Sequence, residues 1–409
     1  MNVVITALMG MESLVGEELR SLGYDASDIS VRNAMVVLDA KEGYADACAR
    51  INLWSRCGER VLLELGRAPA PDFDTLFDTA RSMPWEEWIA EGQVILVDGY
   101  SRNSALFSVS ACQSILKKAI VTRLASIRPA GADGRLTEDS SRGSVQIRFA
   151  IVDDEISFQV DTSGAGLHKR GYRPLRNVAP IRETLAAALV LLSLWSPASD
   201  EALLDPFCGS GTIPVEAALI ACRLAPGRAR AFSGESWHVV GRRAFDAARE
   251  EASDIAAQNR PSGLRIFGSD IDAGMVGLSM ENARRAGVGE WIRFREADAL
   301  GAAGEPGLDR KRLDAWTGSS RRLVVCNPPY GERLLDPAQA HAIEAGIGSI
   351  CLPGGHLRDD LRLTVISSDD GFERTAGTKA DKRRKLYNGM IKCTMYHYFR
   401  HAGRQGGLR

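Results

Sequence analysis

The sequence predicts an α/β fold for the C-terminal half of the chain, in which a mostly parallel sheet has helices on both faces. From Pro180 onward, helical patterns alternate with short apolar runs, as repeated strand–helix units require. These runs are apolar throughout, which is typical of strands buried on both faces. The predicted strands are 202–204, 264–267, 291–294, 323–326 and 363–366, and the alternating run 391–399 is predicted to be an antiparallel edge strand.

The N-terminal part is predicted to contain two α+β units. In residues 1–60, strands at 3–5 and 35–38 alternate with helices at 11–22 and 44–53. A glycine-rich, basic connector at 164–174 marks the boundary to the C-terminal unit, so the predicted units are 1–60, 61–165 and 166–409. The second unit is predicted to have strands at 61–65, 94–97, 145–149 and 156–160, a helix at 110–127 and a hairpin turn at 153–155.

Composition excludes several function classes. The chain has 409 residues, 25% of them charged, and a formal net charge of -1, so any nucleic-acid-binding surface must be local. Its eight cysteines show neither a Cys-x-x-Cys pair nor zinc spacing, which predicts reduced thiols and no metal site. The first ten residues lack the basic flank of a secretory signal, and the longest strongly apolar stretch, 185–195, is too short to span a bilayer. We therefore expect a soluble, cytoplasmic protein without a membrane partner.

A glycine-containing turn after the first strand of the C-terminal half predicts a cofactor site. Gly209 and Gly211 allow the backbone to approach a ligand closely. A nicotinamide dinucleotide is disfavoured, because Pro214 stands where the third glycine of that fingerprint belongs and no acidic residue follows at the usual offset of about 20 residues. S-adenosylmethionine carries no phosphate and needs acidic acceptors instead. The residues predicted to bind it are Asp205, Pro206, Gly209, Gly211, Thr212, Asp270 and Asp298.

The acidic members of this set have separate predicted roles. Asp270 would accept hydrogen bonds from the ribose hydroxyls and Asp298 from the adenine amine. Asp205 is expected to stay ionised and to face the cationic amino-acid end of the cofactor. For Asp272, capping of the following helix is favoured over contact with the cofactor.

A second signature, Asn327-Pro328-Pro329-Tyr330, predicts methylation of an exocyclic amine. The lone pair of such an amine is delocalised into the base, and out-of-plane acceptors for its N–H bonds free that lone pair. The Asn327 side-chain carbonyl and the Pro328 backbone carbonyl are suitable acceptors, and the two prolines hold them in place. The ring of Tyr330 offers a stacking surface for the base.

Local basic clusters in a nearly neutral chain predict contacts with RNA phosphates. Each cluster taken alone is also compatible with an ordinary solvated face. The residues predicted to bind RNA are Lys117, Lys118, His168, Lys169, Arg170, Arg173, Lys382, Arg383, Arg384 and Lys385.

The motifs together resemble those of THUMP-domain class I RNA methyltransferases, in particular the bacterial 23S rRNA guanine-N2 methyltransferases. The matching segments are MGME at 9–12, DPFCGSGT at 205–212, GSDID at 268–272, NPPYGERL at 327–334 and KADKRRKLYNG at 379–389. The resemblance implies a ferredoxin-like module at 1–60, a THUMP RNA-binding domain at 61–165, and a Rossmann-like methyltransferase domain with a seven-stranded, mostly parallel sheet at 166–409. One departure is segment 335–360, where glycines and a proline are expected to replace a continuous helix.

The resemblance leaves the substrate open. Guanine N2 in 23S rRNA is the preferred target, with tRNA guanine N2 as a close alternative and DNA adenine N6 as a further one. A non-enzymatic RNA-binding assembly factor with an inert domain is disfavoured, because Asp205, Gly209, Gly211, Asn327 and Tyr330 are all present.

Overall fold

Two seven-stranded sheets organise the described part of the chain, and each lies in a separate compact unit. The computed structural model describes residues 1–128, 138–173, 181–237, 239–301, 304, 306–329 and 337–400. Unit 1 comprises Met1–Ala7, Val15–Leu167 and Arg230–Glu251, and unit 2 comprises Leu8–Leu14, His168–Ala229 and Ala252–Arg409.

The sheet of unit 1 joins the two predicted N-terminal modules. The elements of this part of the chain are β1 (Asn2–Ala7), α1 (Glu12–Ser21), β2 (Ile29–Arg32), β3 (Met35–Asp39), α2 (Tyr44–Trp54), β4 (Gly58–Pro69), α3 (Phe73–Ser82), β5 (Val94–Arg102), α4 (Val109–Ile127), β6 (Ser144–Val152) and β7 (Glu155–Asp161). The strand order is β2-β3-β1-β4-β7-β6-β5. Because β4 pairs with both β1 and β7, it crosses the boundary predicted at residues 60 and 61.

The predicted hairpin turn is present between β6 and β7. Asp153 and Asp154 both have positive φ angles, of 53° and 60°. A two-residue turn of this kind matches the twist of the strands on either side, and aspartate tolerates the left-handed region better than most residues. The antiparallel register places Val152 opposite Glu155, so the turn has two residues and Glu155, which was predicted to lie in the turn, begins β7.

The sheet of unit 2 is the predicted seven-stranded, mostly parallel one. The elements of this half are α5 (Glu183–Leu192), β8 (Ala202–Asp205), α6 (Thr212–Ala221), α7 (Gly241–Gln258), β9 (Ile266–Asp270), α8 (Ala273–Arg285), β10 (Ile292–Glu296), α9 (Arg310–Thr317), β11 (Arg322–Cys326), α10 (Pro337–Cys351), β12 (Leu361–Ser367), α11 (Phe372–Thr375), β13 (Lys382–Asn388) and β14 (Ile391–Tyr398). The strand order is β10-β9-β8-β11-β12-β14-β13, with β14 antiparallel to both of its neighbours. Val324, Leu363 and Phe372 belong to the core packed on this sheet.

Two predictions about this unit are wrong. The run 391–399 is not an edge strand, because β13 pairs along the outer side of β14. β13 begins with four basic residues, so it lacks the apolar run that indicates a strand in the sequence. Segment 335–360 does contain a continuous helix, α10. A Cβ atom at Gly348 would lie 2.6 Å from Ala376 Cα, so the glycine permits close packing of α10 that a larger residue would prevent.

Within the described ranges, no helix combines the length and apolar character needed to cross a lipid bilayer.

Candidate active site

The strand order brings the predicted site residues into one row. Four consecutive strands of the sheet, β10, β9, β8 and β11, each have a predicted site residue at or just beyond the carboxyl end. In that order, the residues are Asp298, Asp270, Asp205 and Asn327. With neighbouring strands about 4.8 Å apart, the row spans roughly 14 Å. From β8 the chain continues to β9 and β10 on one side, whereas β11 and β12 lie on the other side of β8. Open parallel sheets bind ligands where the strand order reverses in this way, here between β8 and β11.

The loop between β8 and α6 is tied to β9 by its backbone. The Cys208 N–H donates to the Ser269 carbonyl at 2.9 Å, and the Gly209 N–H donates to Asp270 Oδ2 at 2.9 Å. Gly211 has a φ of 76°, and a Cβ atom there would lie 2.7 Å from Ser279 Cβ. Both the backbone conformation and the lack of space therefore require glycine at position 211.

Asp270 is held in a fixed orientation with capacity to spare. Its two carboxylate oxygens accept from the N–H groups of Gly209 and, at 3.1 Å, of Asp272. Each carboxylate oxygen has two lone pairs, so Asp270 retains capacity to accept from a pair of ribose hydroxyls. Asp272 caps α8 by accepting from the Gly274 N–H at 2.7 Å, in agreement with the favoured prediction for that residue.

Asp205 lies deeper than the sequence suggested. It is only 2% exposed, and its Oδ1 accepts from the Phe207 N–H at 3.1 Å. Burial raises the pKa of Asp205 well above its usual range, and the nearby Asp270 raises it further. The protein alone therefore opposes the ionised form that the sequence analysis expected, whereas a cation placed beside the carboxylate would favour it.

Asp298 lines a cavity of about 320 Å³ at the end of β10. Its Oδ1 accepts from the Leu300 N–H at 2.9 Å, which fixes the side chain of this half-buried residue. Arg295 forms part of the wall and stacks over Trp316, with the guanidinium carbon 3.7 Å from the ring centroid. The volume falls at the lower end of the range for small-molecule sites. The lining residues are Arg295, Glu296, Ala297, Asp298, Gly301, Gly304 and Arg312.

The Asn327 side chain carries a buried acceptor atom. Its side-chain Oδ1 is buried and has no hydrogen-bond partner within the ranges that the structure describes. A buried acceptor left in this state costs about 1–3 kcal/mol, and such atoms are rare enough to call for an explanation. Pro328 is buried and Pro329 half-buried. Tyr330, the fourth predicted catalytic residue, lies outside the described residues.

The predicted RNA-binding residues fall into three groups. Three of the arginines point inward. Arg170 is 3% exposed and pairs with Glu216, Arg173 lies 2.8 Å from Glu183, and Arg384 donates to the Gly10 carbonyl at 2.7 Å. RNA contacts by these three are not supported by the structure, because each guanidinium already serves an internal acceptor. The exposed members are Lys118, Lys169, Lys382, Arg383 and Lys385, whereas Lys117 and His168 are half-buried.

Two buried glutamates near the site escaped the sequence analysis. Glu183 on α5 is 3% exposed, and burial raises its pKa despite the neighbouring Arg173. Glu216 on α6 is fully buried and accepts from the Tyr172 hydroxyl at 3.1 Å. A charged residue within each of two strongly apolar helices was the available signal, since buried charges are nearly always paired.

One cluster of potential metal ligands lies outside the row. The ligand atoms of His341, Glu344 and Asp369 are within 4.8 Å of one another. Burial raises the pKa of Glu344 to about 7, and this carboxyl accepts a hydrogen bond from Ser367. His341 Nδ1 lies 3.3 Å from the Thr375 hydroxyl. Two of the three potential ligands, Glu344 and His341, therefore already have hydrogen-bond partners within the protein.

Family models cover most of the chain. An RlmL ferredoxin-like domain matches residues 2–62, a THUMP domain 70–161, and an RMKL-like methyltransferase domain 170–397. A candidate RNA methyltransferase, YpsC of Bacillus subtilis (strain 168), is 38% identical over 97% of this chain and 96% of its own length. The ribosomal RNA large subunit methyltransferase K/L of Syntrophotalea carbinolica is 33% identical over 96% of this chain. This chain spans only 53% of that larger protein.

Two solved structures share the fold over 97% of this chain. One, from Listeria monocytogenes, is described as a predicted N6-adenine-specific DNA methylase; it is 39% identical, with a TM-score of 0.82 over 96% of that protein. The other, SMU.472, is a candidate methyltransferase solved with S-adenosylhomocysteine; it is 34% identical, with a TM-score of 0.81 over 97% of its length. The site geometry and these matches agree, and the chain belongs to the THUMP-containing, RlmL-like family of S-adenosylmethionine-dependent methyltransferases.

Proposed function

We propose that this protein methylates the exocyclic N2 of a guanine in RNA, and that the RNA is 23S rRNA. The observation that carries the proposal is the buried Oδ1 of Asn327, which has no hydrogen-bond partner among the described residues and lies at the carboxyl edge of the sheet, next to the strand that ends at Asp205. An acceptor without a partner in that part of the chain suits the N–H of an incoming amine.

The proposed role of the catalytic loop is to prepare the amine for attack. Asn327 Oδ1 and the Pro328 carbonyl accept its N–H bonds out of the plane of the base, which localises the lone pair on nitrogen. Because these acceptors are already in place, they also stabilise the positive charge that develops there. Proximity to the donor methyl supplies much of the acceleration, so no strong general base is needed.

The cofactor-binding residues suit the three parts of S-adenosylmethionine. When bound, the cofactor supplies an activated methyl group on a sulfonium. Asp270 would hold the ribose hydroxyls and Asp298 would orient the adenine beside the cavity. Asp205 would pair with the amino-acid end, where a positive charge offsets the cost of ionising a buried carboxyl.

RNA is favoured over DNA as the substrate by the THUMP match at residues 70–161 and by the rRNA methyltransferase name of the K/L relatives. The same family match leaves tRNA guanine N2 as a close competitor. The Listeria structure, whose description names DNA adenine N6, keeps that chemistry as an alternative to be tested.

The decisive experiment uses labelled S-adenosylmethionine with 23S rRNA, tRNA and DNA in parallel, followed by identification of the methylated nucleoside. We expect N2-methylguanosine from 23S rRNA. Methyladenine from DNA, or label in tRNA alone, would contradict the proposed target.

A matched variant tests the catalytic role. Asn327→Ala should lower kcat by roughly 100-fold or more, the scale seen when one preorganised group in a transition-state site is removed. Its Kd for S-adenosylhomocysteine, measured by calorimetry, should stay within about twofold of the unaltered protein. Full activity in this variant would remove Asn327 from the mechanism.

A further inference from the structure

The connector that precedes the methyltransferase domain is anchored to the cofactor loop by a half-buried arginine, Arg173. The Arg173 side chain is 15% exposed and reaches three acceptors in two segments, the start of α5 and the start of α6. It lies 2.8 Å from Glu183 on α5, and it donates to the Ile181 carbonyl and to the Thr212 hydroxyl, both at 3.0 Å. A guanidinium suits this position, because its fork of fixed donors can serve several acceptors at once.

Thr212 links this arginine to the loop itself. It is the first residue of α6 and is 2% exposed, and its hydroxyl lies 3.2 Å from the Ser210 hydroxyl. On the other side, Asn282 of α8 donates to the Ser210 carbonyl at 2.9 Å. The turn that carries Gly209 and Gly211 is thus held between Asn282 and the Arg173–Thr212 pair.

A second contact in the connector differs in its target. Tyr172, adjacent to Arg173, donates to Glu216, which lies four residues beyond Thr212 on α6. This bond stabilises the helix but does not involve the loop. Tyr172 therefore contacts the body of α6, whereas the adjacent Arg173 contacts the residue that follows the cofactor loop.

We propose that Arg173 is a positioning residue for cofactor binding, acting through the Thr212 hydroxyl to fix the turn at residues 208–211. This role rests on the assignment of the cofactor to that turn. It replaces the RNA contact that the sequence analysis predicted for Arg173.

The test is a double-mutant cycle read by calorimetric titration with S-adenosylhomocysteine. Arg173→Met keeps the apolar stem and removes the donors, and Thr212→Val keeps the shape and removes the hydroxyl. Each is expected to raise Kd by roughly 10- to 100-fold, since small displacements of a binding group have effects of this size. The double variant should bind no more weakly than the weaker single variant, because both changes break one linkage.

Tyr172→Phe serves as the matched control. It should lower Tm slightly and leave Kd within about twofold. Should Arg173→Met fail to fold, Arg173→Lys retains a charge beside Glu183 but cannot reproduce the fork, and it should still raise Kd with a Tm close to that of the unaltered protein.

Other outcomes would overturn the role of Arg173. These are additive effects in the double variant, or a lowered Tm with unchanged Kd in both Arg173 variants. If the unaltered protein failed to bind S-adenosylhomocysteine, the cofactor assignment would fall and this proposal with it.

Discussion

Two regions carried clear sequence signals: the carboxyl edge of the methyltransferase sheet and the basic connector that leads into it. They differ in how well the sequence predicted the positions of their side chains. At the sheet edge, residues from four separate motifs come together in one row. In the connector, Arg170 and Arg173 turn inward to glutamates, whereas Lys169, directly before Arg170, is exposed.

The difference follows from what fixes each side chain. A residue at the end of a parallel strand is placed by the topology of the sheet, so the position of the motif within the fold is sufficient to locate it. A charged residue in a connector is placed by the nearest opposite charge. Glu183 and Glu216 lie in α5 and α6, outside the connector, so the positions of the arginines could not be deduced from the charges within the connector.

The largest effect on cofactor binding is expected from a substitution at Gly211, where the loop at the sheet edge packs closely against Ser279. Gly211→Ala should raise the Kd of the cofactor on the order of 100-fold and should lower Tm. The added Cβ would both meet Ser279 at 2.7 Å and strain a backbone with a φ of 76°. Titration with S-adenosylhomocysteine and thermal unfolding measure the two consequences.

Gly241→Ala is the control for backbone strain. Gly241 has nearly the same φ, 77°, but its added Cβ would meet nothing within 4 Å. It should therefore cost only about 1–2 kcal/mol of stability, from the left-handed backbone, without affecting cofactor binding. Equal loss of binding in both variants would show that the contact with Ser279 is irrelevant.

A second prediction concerns the buried carboxyl at the same edge. Asp205→Asn should weaken cofactor binding by roughly 10- to 100-fold, the range for loss of a charged hydrogen-bond partner. In the absence of cofactor, the same substitution should instead favour the folded protein as pH rises, because it removes a buried carboxyl that is costly to ionise. Burial raises the folded-state pKa of Asp205, so its favourable contribution is complete below the unfolded-state value near 3.9 and is lost as pH rises toward the folded-state value.

The asparagine variant lacks that titration. Its free energy of unfolding relative to the unaltered protein should therefore increase as pH is raised from about 4, as measured by urea unfolding at several pH values. A stability difference that is independent of pH would contradict the buried, protonated carboxyl. Unchanged cofactor binding would remove Asp205 from the site.

The same contrast defines how far the sequence could predict this molecule. The strands of the parallel sheet and the row from Asp298 to Asn327 followed from apolar runs and motifs at strand ends. β13 was missed because its first four residues are charged, and α10 because its glycines suggested a break. In both cases tertiary contacts decided the outcome: pairing with β14 for the strand, and close packing at Ala376 for the helix.

The smallest expected effect separates exposed from internal basic residues on β13. Lys385 is exposed, whereas its neighbour Arg384 donates to the Gly10 carbonyl and to the Ser13 hydroxyl, each at 2.7 Å. If Lys385 contacts a phosphate, Lys385→Ala should weaken binding to a 23S rRNA transcript a few-fold and reduce the slope of log K against log salt by about 0.7–0.9.

Arg384→Ala should leave that slope unchanged and lower Tm instead, because it removes two internal hydrogen bonds. Filter binding over a salt series, with thermal unfolding of both variants, measures the difference. A reduced slope for Arg384→Ala together with no change for Lys385→Ala would mean that RNA rearranges β13 and that exposure in the free protein is a poor guide to contact.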